Sequence, residues 1–405
     1  MERQVAQALV SASDAALGRI VRLVDTMASR AEIDRVLEQV RPRLRRLRPA
    51  RPISVNRLLF LPLEGALAAP ATWRRGSGQV PRNALAALAE IFGAAAPTLV
   101  REITAAGTGH SFAEAAQVGL LGRRLWQGAA SAMPAALPAS WAAGWTAASG
   151  LRTEDYPPLA VLCTGVWRHA GALWDVIDAT EDNPPEALIR TALAGPAQEG
   201  EEVFAAALAL LLARAPCPGT IASIAAGLDP RARLLAGRAL DRLIEAGMPH
   251  LDAADPAGAA AHVEQLADML ADLETSTLGA VPERRDRLQK LRHQADLACR
   301  VAFVETIEAG LLTPLAQLAA TAGDAEVMAL EATVRDLRRL LLACRRVGTP
   351  DTYDKATRAA VEQLMKRGAS LPGQGLTRID LARLVEILGG REAADRLLAQ
   401  NPECK

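Results

Sequence analysis

The sequence predicts an all-α protein, and three observations support this prediction. Half of the 405 residues are apolar, yet Phe, Trp and Tyr make up only 3%, so small and unbranched side chains must form most of the core. Alanine, leucine, arginine and glutamate favour helices, whereas β-branched and aromatic residues favour strands. Apolar residues recur every three or four positions through most of the chain, and alternating runs typical of strands are nearly absent.

The N-terminal region, residues 1–125, begins with two predicted amphipathic helices, over 3–29 and about 31–40, each with one apolar face. A basic connector rich in arginine and proline follows, residues 41–63, and it ends in an apolar run at 58–61. Because the residue before a proline is pushed out of the helical conformation, we predict that residues 51–63 are extended or irregular.

The rest of this region is predicted to hold a loop and further helices. Residues 73–82 combine arginines with a Gly-Ser-Gly tip, which is typical of a loop. Periodic apolar residues then predict helices over 83–92, 97–105 and 111–125.

The middle region, residues 126–255, is rich in aromatic residues. Its large aromatic side chains are Trp126, Trp141, Trp145, Tyr156, Trp167 and Trp174. Large aromatic side chains usually anchor a core that alanine alone would fill poorly, so we expect them to be buried rather than to line a binding groove. Helices are predicted over 185–193, 201–214, 219–226 and 230–246.

The C-terminal region, residues 256–405, is predicted to hold the longest helices. They cover about 257–275, 283–309, 324–347, 353–367, 377–388 and 390–399. Long neighbouring helices with short turns favour antiparallel packing. We therefore expect a multi-helical bundle or an irregular, α-solenoid-like array of helix pairs.

Charge is balanced overall but unevenly distributed. The chain has 46 basic and 46 acidic residues. Residues 1–125 carry 18 basic and 10 acidic groups, whereas residues 126–255 carry 8 basic and 15 acidic groups. A positive end beside a negative middle is compatible with a nucleic-acid surface. It is equally compatible with two regions of one protein that attract each other, and we favour this second interpretation.

The arginine cluster of the connector is the strongest candidate for a binding surface. Its members, with two arginines of the following loop, are Arg41, Arg43, Arg45, Arg46, Arg48, Arg51, Arg57, Arg74 and Arg75. A guanidinium group pairs with phosphate or carboxylate in bidentate geometry. The cluster therefore fits a protein partner, a membrane surface or a nucleic acid, while a solvated connector docked by its apolar end is the simplest interpretation.

Two motifs suggest chemistry only weakly. The glycines at 107 and 109 resemble a dinucleotide-binding loop, but Phe112 occupies the third glycine position and helices surround the motif. We expect a helix end there, with Ser111 capping the next helix. Asp175, Asp178 and Asp182 are spaced to share a helix face and could hold a divalent ion, although a solvated acidic end is the simpler interpretation.

The remaining residues exclude several classes of function. The five cysteines and five histidines are scattered, without the spacings of a zinc site or a disulfide framework. The chain contains no P-loop, nucleophile elbow or kinase motif. We therefore expect no cofactor, no metal and no catalytic residue, and we regard an enzyme as the minority hypothesis.

The sequence favours a cytoplasmic location, because it contains no signal-peptide core and no apolar run long enough to span a membrane. The predicted function is a non-catalytic helical scaffold or adaptor that binds another macromolecule, most plausibly a protein. The alternatives are a nucleic-acid-binding protein that uses the basic residues of 41–82, and a helical metal-dependent enzyme that uses the Asp175 region. The sequence leaves the oligomeric state open.

Overall fold

The all-α prediction is confirmed by a computed structural model, which describes residues 52–179, 184–228, 230–246, 256–317, 324–369 and 377–399. The predicted helices over 3–29 and 31–40 and the arginines from Arg41 to Arg51 lie outside these residues. Contacts divide the chain into two compact units. The central unit comprises Ala50–Gly247 and Ala271–Leu288, and the terminal unit includes Met248–Leu270 and Gln289–Lys405. The three regions predicted from charge and aromatic content stay a prediction.

Helices form nearly all of the central unit. In chain order they are α1 (Val55–Phe60), α2 (Leu85–Ala95), α3 (Pro97–Gly107), α4 (Ala115–Ala132), α5 (Ala142–Ser149), α6 (Tyr156–Asp178), α7 (Glu186–Glu199), α8 (Glu201–Arg214), α9 (Pro218–Ala226) and α10 (Pro230–Ala246). Short 3₁₀ helices cover Leu61–Ala66, Arg82–Ala84, Ala139–Trp141 and Thr153–Asp155. The predicted bounds of α8 and α10 agree with the structure, because Gly200 and Pro230 mark where those helices begin.

One prediction for this unit is wrong. Residues 51–63 are not extended throughout, because Val55–Phe60 is α-helical and Leu61–Ala66 is a 3₁₀ helix. Pro62 lies in the first turn of the 3₁₀ helix, where a missing amide donor is tolerated. The apolar side chains at 58–61 are buried, and a helical backbone satisfies most of its own hydrogen bonds, which burial requires.

A short parallel β-pair is present beside these helices. Strand β1 (Leu67–Ala68) pairs with strand β2 (Val80–Pro81), with Leu67 opposite Val80. The strands flank residues 69–79, which include most of the loop that the sequence predicted over 73–82, and their pairing fixes the two ends of this segment close together.

Five of the six large aromatic residues of the middle region are buried in the core, as predicted, whereas Trp141 is only partly buried. Trp126, Trp145 and Trp167 are at most 1% exposed, and Trp174 is 5% exposed. The indole nitrogen of Trp126 donates a hydrogen bond to the carbonyl oxygen of Leu58 over 2.8 Å, and that of Trp167 donates to Leu59 over 2.7 Å. The carbonyl of Leu58 also accepts a hydrogen bond from the backbone nitrogen of Leu61, so the indole of Trp126 is its second donor. The two tryptophans therefore tie α1 to α4 and α6.

The terminal unit is formed by long helices. They are α11 (Pro256–Thr275), α12 (Pro282–Ile307), α13 (Thr313–Gln317), α14 (Asp324–Val347), α15 (Pro350–Ala369), α16 (Arg378–Gly389) and α17 (Arg391–Ala399), and a π-helical turn covers Glu308–Leu312. The division between the units falls within α11 and α12. The bounds predicted for α14 agree with the structure, and its apolar stripe from Val327 to Val347 is buried in the core.

A small polar network lies inside the terminal unit. The carboxylate of Asp296, which is 6% exposed, accepts a hydrogen bond from the hydroxyl of Tyr353 over 2.8 Å and forms an ion pair with Arg300. Gly348 leaves the space that this carboxylate occupies, because a Cβ atom at residue 348 would overlap it. Charged groups are buried at low cost only when they are paired, and this arrangement meets that condition.

We expect Trp167→Phe to destabilise the protein more than Trp174→Phe does. Both residues are buried on α6, but the indole nitrogen of Trp174 has no hydrogen-bond partner among the described residues. Removing the Trp167 donor leaves a buried carbonyl short of a partner, which costs about 1–3 kcal/mol. Urea unfolding of the two variants measures the difference, and equal losses of stability would contradict the role given to the hydrogen bond.

We expect opposite effects from alanine at two glycines of the central unit. A Cβ atom at Gly65 would overlap the backbone carbonyl of Ala209 in α8, whereas one at Gly93 in α2 would meet nothing within 4 Å. Gly65→Ala should therefore destabilise the protein by about 1–3 kcal/mol. Gly93→Ala should stabilise it by about 0.5–1 kcal/mol, because alanine is the better helix former. The same urea unfolding experiment tests both changes.

Candidate functional site

One side of the candidate site is a loop whose tip contains two residues with unusual backbone conformations. Gly76 and Gly78 have φ angles of +77° and +65°, which favour glycine, and they flank Ser77. The indole nitrogen of Trp73 donates a hydrogen bond across the loop to the carbonyl of Gln79 over 2.9 Å. The loop is thus closed on itself, and it holds Ser77 at its tip.

The turn between α7 and α8 lies directly against this loop. Gly78 is buried, and a Cβ atom there would come within 2.9 Å of the carbonyl oxygen of Glu202. Gly200, with a φ of +134°, separates α7 from α8. This close approach requires glycine at position 78, and it places the first turn of α8 beside the Gly-Ser-Gly tip.

Helices α6 and α10 complete a cleft of about 460 Å³. The apolar residues that line it include Val161 and Leu162 of α6 and Leu235 of α10. Of these, Val161 is 58% exposed, whereas Leu162 is buried. An exposed apolar surface inside a concave region is typical of a binding site.

Charged side chains of opposite sign line different sides of this cleft. Glu201 and Glu202 belong to the first turn of α8, and Arg238 and Arg242 belong to α10. None of these four side chains forms an ion pair with any other residue that the structure describes. The hydroxyl oxygen of Ser77 is buried and likewise has no hydrogen-bond partner among those residues. The cleft therefore offers unused acceptors, donors and charge to a ligand.

The third glutamate of the cleft is engaged. Glu199 forms an ion pair with Arg168, and its Oε1 lies 3.4 Å from Nε2 of His169. The hydrogen bond from Arg168 lowers the pKa of Glu199. Gly195 lies against the ring of His169, because a Cβ atom there would overlap it. Glu199 therefore stabilises the end of α7 and is not free for a ligand.

The three arginines of the predicted binding surface that the structure describes all make contacts within the chain. The guanidinium of Arg57 lies over the ring of Phe112, at 4.6 Å from its centroid. Arg74 donates to the carbonyl of Trp73 over 2.8 Å, and Nε of Arg75 donates to Oδ1 of the buried Asp155 over 3.0 Å. The structure thus assigns each of the three an internal role, and partner binding by the whole arginine cluster stays a prediction.

The predicted acidic group also has an internal partner. Arg123 of α4 contacts Asp175 over 2.5 Å and Asp178 over 3.2 Å, and Asp182 lies outside the described residues. Within the described parts of the chain, no group of three or more His, Cys, Asp or Glu side chains is suited to holding a metal ion. An arginine of α4 therefore pairs with these aspartates, and pairing with the connector, whose arginines from Arg41 to Arg51 lie outside the described residues, stays a prediction.

The glycine motif at 107–112 ends one helix, as expected. Gly107 is the last residue of α3, and Gly109 has a φ of +85°. The expected cap at Ser111 is wrong in detail, because α4 begins only at Ala115. The carboxylate of Glu114 instead accepts a hydrogen bond from the backbone nitrogen of Ser111 over 2.8 Å and contacts Nδ1 of His110 over 2.7 Å, which lowers the pKa of Glu114.

The described cysteines are buried and unoxidised. Burial raises the pKa of the Cys163 thiol to about 12 and that of Cys217 to about 11, so neither is an activated nucleophile at neutral pH. Cys299 and Cys344, far apart in the sequence, share a side-chain hydrogen bond that raises the pKa of Cys344. Sequence spacing offered no signal for that contact, because it depends on the packing of α12 against α14.

No helix in the described ranges is by itself long and apolar enough to cross a membrane, although the bent pair Arg82–Ala95 and Pro97–Gly107 together has the necessary length and composition. No protein-family model matches the chain, and no curated protein or solved structure is significantly similar to it.

The cleft was only partly visible in the sequence. The Gly-Ser-Gly tip and the closely spaced Glu199, Glu201 and Glu202 are visible in the sequence, but their spacing alone does not indicate a cleft. Nothing in the sequence connects them with Arg238 and Arg242, because that connection requires α10 to lie beside α6 and α8.

We expect Arg168→Ala to raise the pKa of Glu199 towards the ordinary value of a glutamate, because the hydrogen bond from Arg168 is the main cause of its lowering. A lowered pKa means that the folded protein binds fewer protons than the unfolded chain in acid, so this contribution to stability is present at neutral pH and is lost as the pH falls. For so exposed a pair the loss should be about 0.2–1 kcal/mol.

Carboxyl chemical shifts followed by NMR against pH measure this pKa. Arg242→Ala is the matched control, because Arg242 lines the same cleft without contacting Glu199 through an ion pair. An unchanged Glu199 pKa in Arg168→Ala would contradict the assignment.

Proposed function

We propose that the protein is a non-catalytic helical adaptor that binds a polypeptide partner in the cleft of the central unit. The observation that supports this proposal most directly is the set of unpaired charges of opposite sign on different sides of an apolar cleft. Glu201 and Glu202 face it from α8, and Arg238 and Arg242 face it from α10.

A polypeptide segment of mixed charge has the chemistry that such a cleft recognises. A basic side chain of the partner can pair with the glutamates, and an acidic side chain can pair with the arginines in bidentate geometry. An apolar residue between them can cover the exposed side chain of Val161. The first-turn amides of α8 can bond to the partner's backbone, because amides in a first helical turn lack internal acceptors.

Binding, rather than catalysis, is the interpretation that these groups favour. Ser77 has no hydrogen-bonded base within the part of the chain that the structure describes, and a nucleophilic serine requires one. Asp175 and Asp178 are held by Arg123, which weakens the metal-dependent alternative. The engagement of Arg57 and Arg75 within the chain likewise weakens the nucleic-acid alternative.

Selection of random peptides displayed on phage against the immobilised full-length chain tests this proposal. We expect the selected peptides to carry an acidic and a basic residue around an apolar one. Their affinity should fall about tenfold or more in the double variant Arg238→Glu/Arg242→Glu, because like charges then face each other. Peptides with glutamate or aspartate replaced by lysine should recover affinity for that variant.

Arg233→Glu is the matched control. Arg233 lies on the same helix as Arg238 and Arg242 but about 140–180° around its axis from them, and it is exposed. Its substitution should leave peptide affinity unchanged. Selected peptides that bind the double variant as tightly as the parent chain, or that show no charged pattern, would refute the proposal.

A further inference from the structure

A second concave site, in the terminal unit, shares no residue with the cleft. It is a pocket of about 340 Å³ between α14, α15, α16 and α17. Four arginines from three helices line it, and they are Arg338, Arg345, Arg358 and Arg396. Apolar side chains, among them Val361, Met365 and Leu388, form another part of its lining.

Most of the positive charge in this pocket is not neutralised. Arg345 forms an ion pair with Asp354. Nε of Arg358 donates to the backbone carbonyl of Asp354 over 3.2 Å, and Nε of Arg396 donates to that of Glu392 over 3.3 Å. Arg338, Arg358 and Arg396 have no carboxylate partner among the residues that the structure describes.

The bonds to backbone carbonyls also orient the side chains. Each uses the Nε atom of its guanidinium and leaves the two terminal nitrogens available, which are the donors of a bidentate contact. In addition, Nε of Arg345 is buried and has no hydrogen-bond acceptor among the described residues. The pocket therefore has more donors than the acceptors around it can satisfy.

The acidic residues of the pocket do not balance its arginines. Four guanidinium groups stand against the carboxylates of Asp354 and Glu362, so the lining carries a net charge of +2. Like charges held together repel one another unless an anion lies between them. A ligand with two negative charges would neutralise this lining, whereas a ligand with a single carboxylate would leave a net positive charge.

We propose that this pocket binds a small organic phosphate monoester. The phosphate lies among Arg338, Arg358 and Arg396, whose planar forks match its oxygen atoms. The organic group packs against Met365, the partly exposed apolar side chain of the lining. A volume of about 340 Å³ lies within the usual range for small-molecule sites, about 300–1,000 Å³, and exceeds what inorganic phosphate alone would fill.

Isothermal titration calorimetry of the full-length chain with phenyl phosphate, in a buffer free of phosphate, tests the proposal. Arg338→Gln, Arg358→Gln and Arg396→Gln should each weaken binding about tenfold or more, because each removes a charged hydrogen-bond donor. Arg391→Gln is the matched control. Arg391 belongs to the same helix as Arg396, is 87% exposed on a different face, and does not line the pocket.

Two further ligands test the chemical class. Benzoate, which carries one charge on the same ring, and inorganic phosphate, which lacks the ring, should both bind more weakly than phenyl phosphate. Equal affinity for benzoate would overturn the preference for a dianion, and equal affinity for inorganic phosphate would overturn the part given to the apolar lining. Absence of binding, or equal loss in Arg391→Gln, would overturn the site itself.

Arg358→Lys separates geometry from charge. Lysine keeps the positive charge but lacks the planar fork, so it should restore only part of the affinity that Arg358→Gln loses. Thermal unfolding of every variant checks that the fold is intact. Full recovery by lysine would overturn the bidentate contact at this position.

Discussion

Two buried hydrogen bonds, from the indole nitrogens of Trp126 and Trp167 to the carbonyl oxygens of Leu58 and Leu59, are the interactions on which the central unit depends. They bring donors to two carbonyl groups at the end of a short helix that is otherwise buried among apolar side chains. The Leu58 carbonyl also accepts from the backbone nitrogen of Leu61, and buried carbonyls are costly when left unpaired. Because the two tryptophans belong to α4 and α6, the same bonds also bring those helices together around the segment 58–66. The aromatic residues thus serve as core and as polar anchors at once.

The position of this segment determines the geometry of the cleft. Gly65 lies against the backbone of α8 so closely that no side chain fits, and the chain passes directly from there into β1 and the Gly-Ser-Gly loop. Gly78, at the loop tip, likewise lies close to the backbone of the first turn of α8. Two glycines without side chains therefore align the loop with α8, and the cleft lies where the loop tip meets α6 and α10.

Arginine has two distinct roles in the described parts of the chain. Many arginines are held by acidic side chains or carbonyl groups, such as Arg75 by Asp155, Arg123 by Asp175, and Arg339 by Glu264. Exposed pairs of this kind contribute little stability individually. They neutralise some arginines, however, and leave others without a carboxylate partner. The unpaired arginines of α10 and those around the pocket of the terminal unit are the ones that support our two binding proposals. An arginine with a carboxylate partner serves the fold, whereas an arginine without one is available to a ligand.

Local sequence determined most of the longer helices. Their apolar periodicity, first-turn prolines and terminal glycines act within one or two turns, so the bounds of α8, α10 and α14 could be read directly from the chain. The burial of most of the middle region's tryptophans was also predictable, because large aromatic side chains usually anchor a core. Only the tertiary structure decided that residues 55–66 are helical, that Arg123 pairs with Asp175, and that Glu201 and Arg238 line one cleft. These outcomes depend on contacts between residues far apart in the sequence, where burial and pairing outweigh local preference.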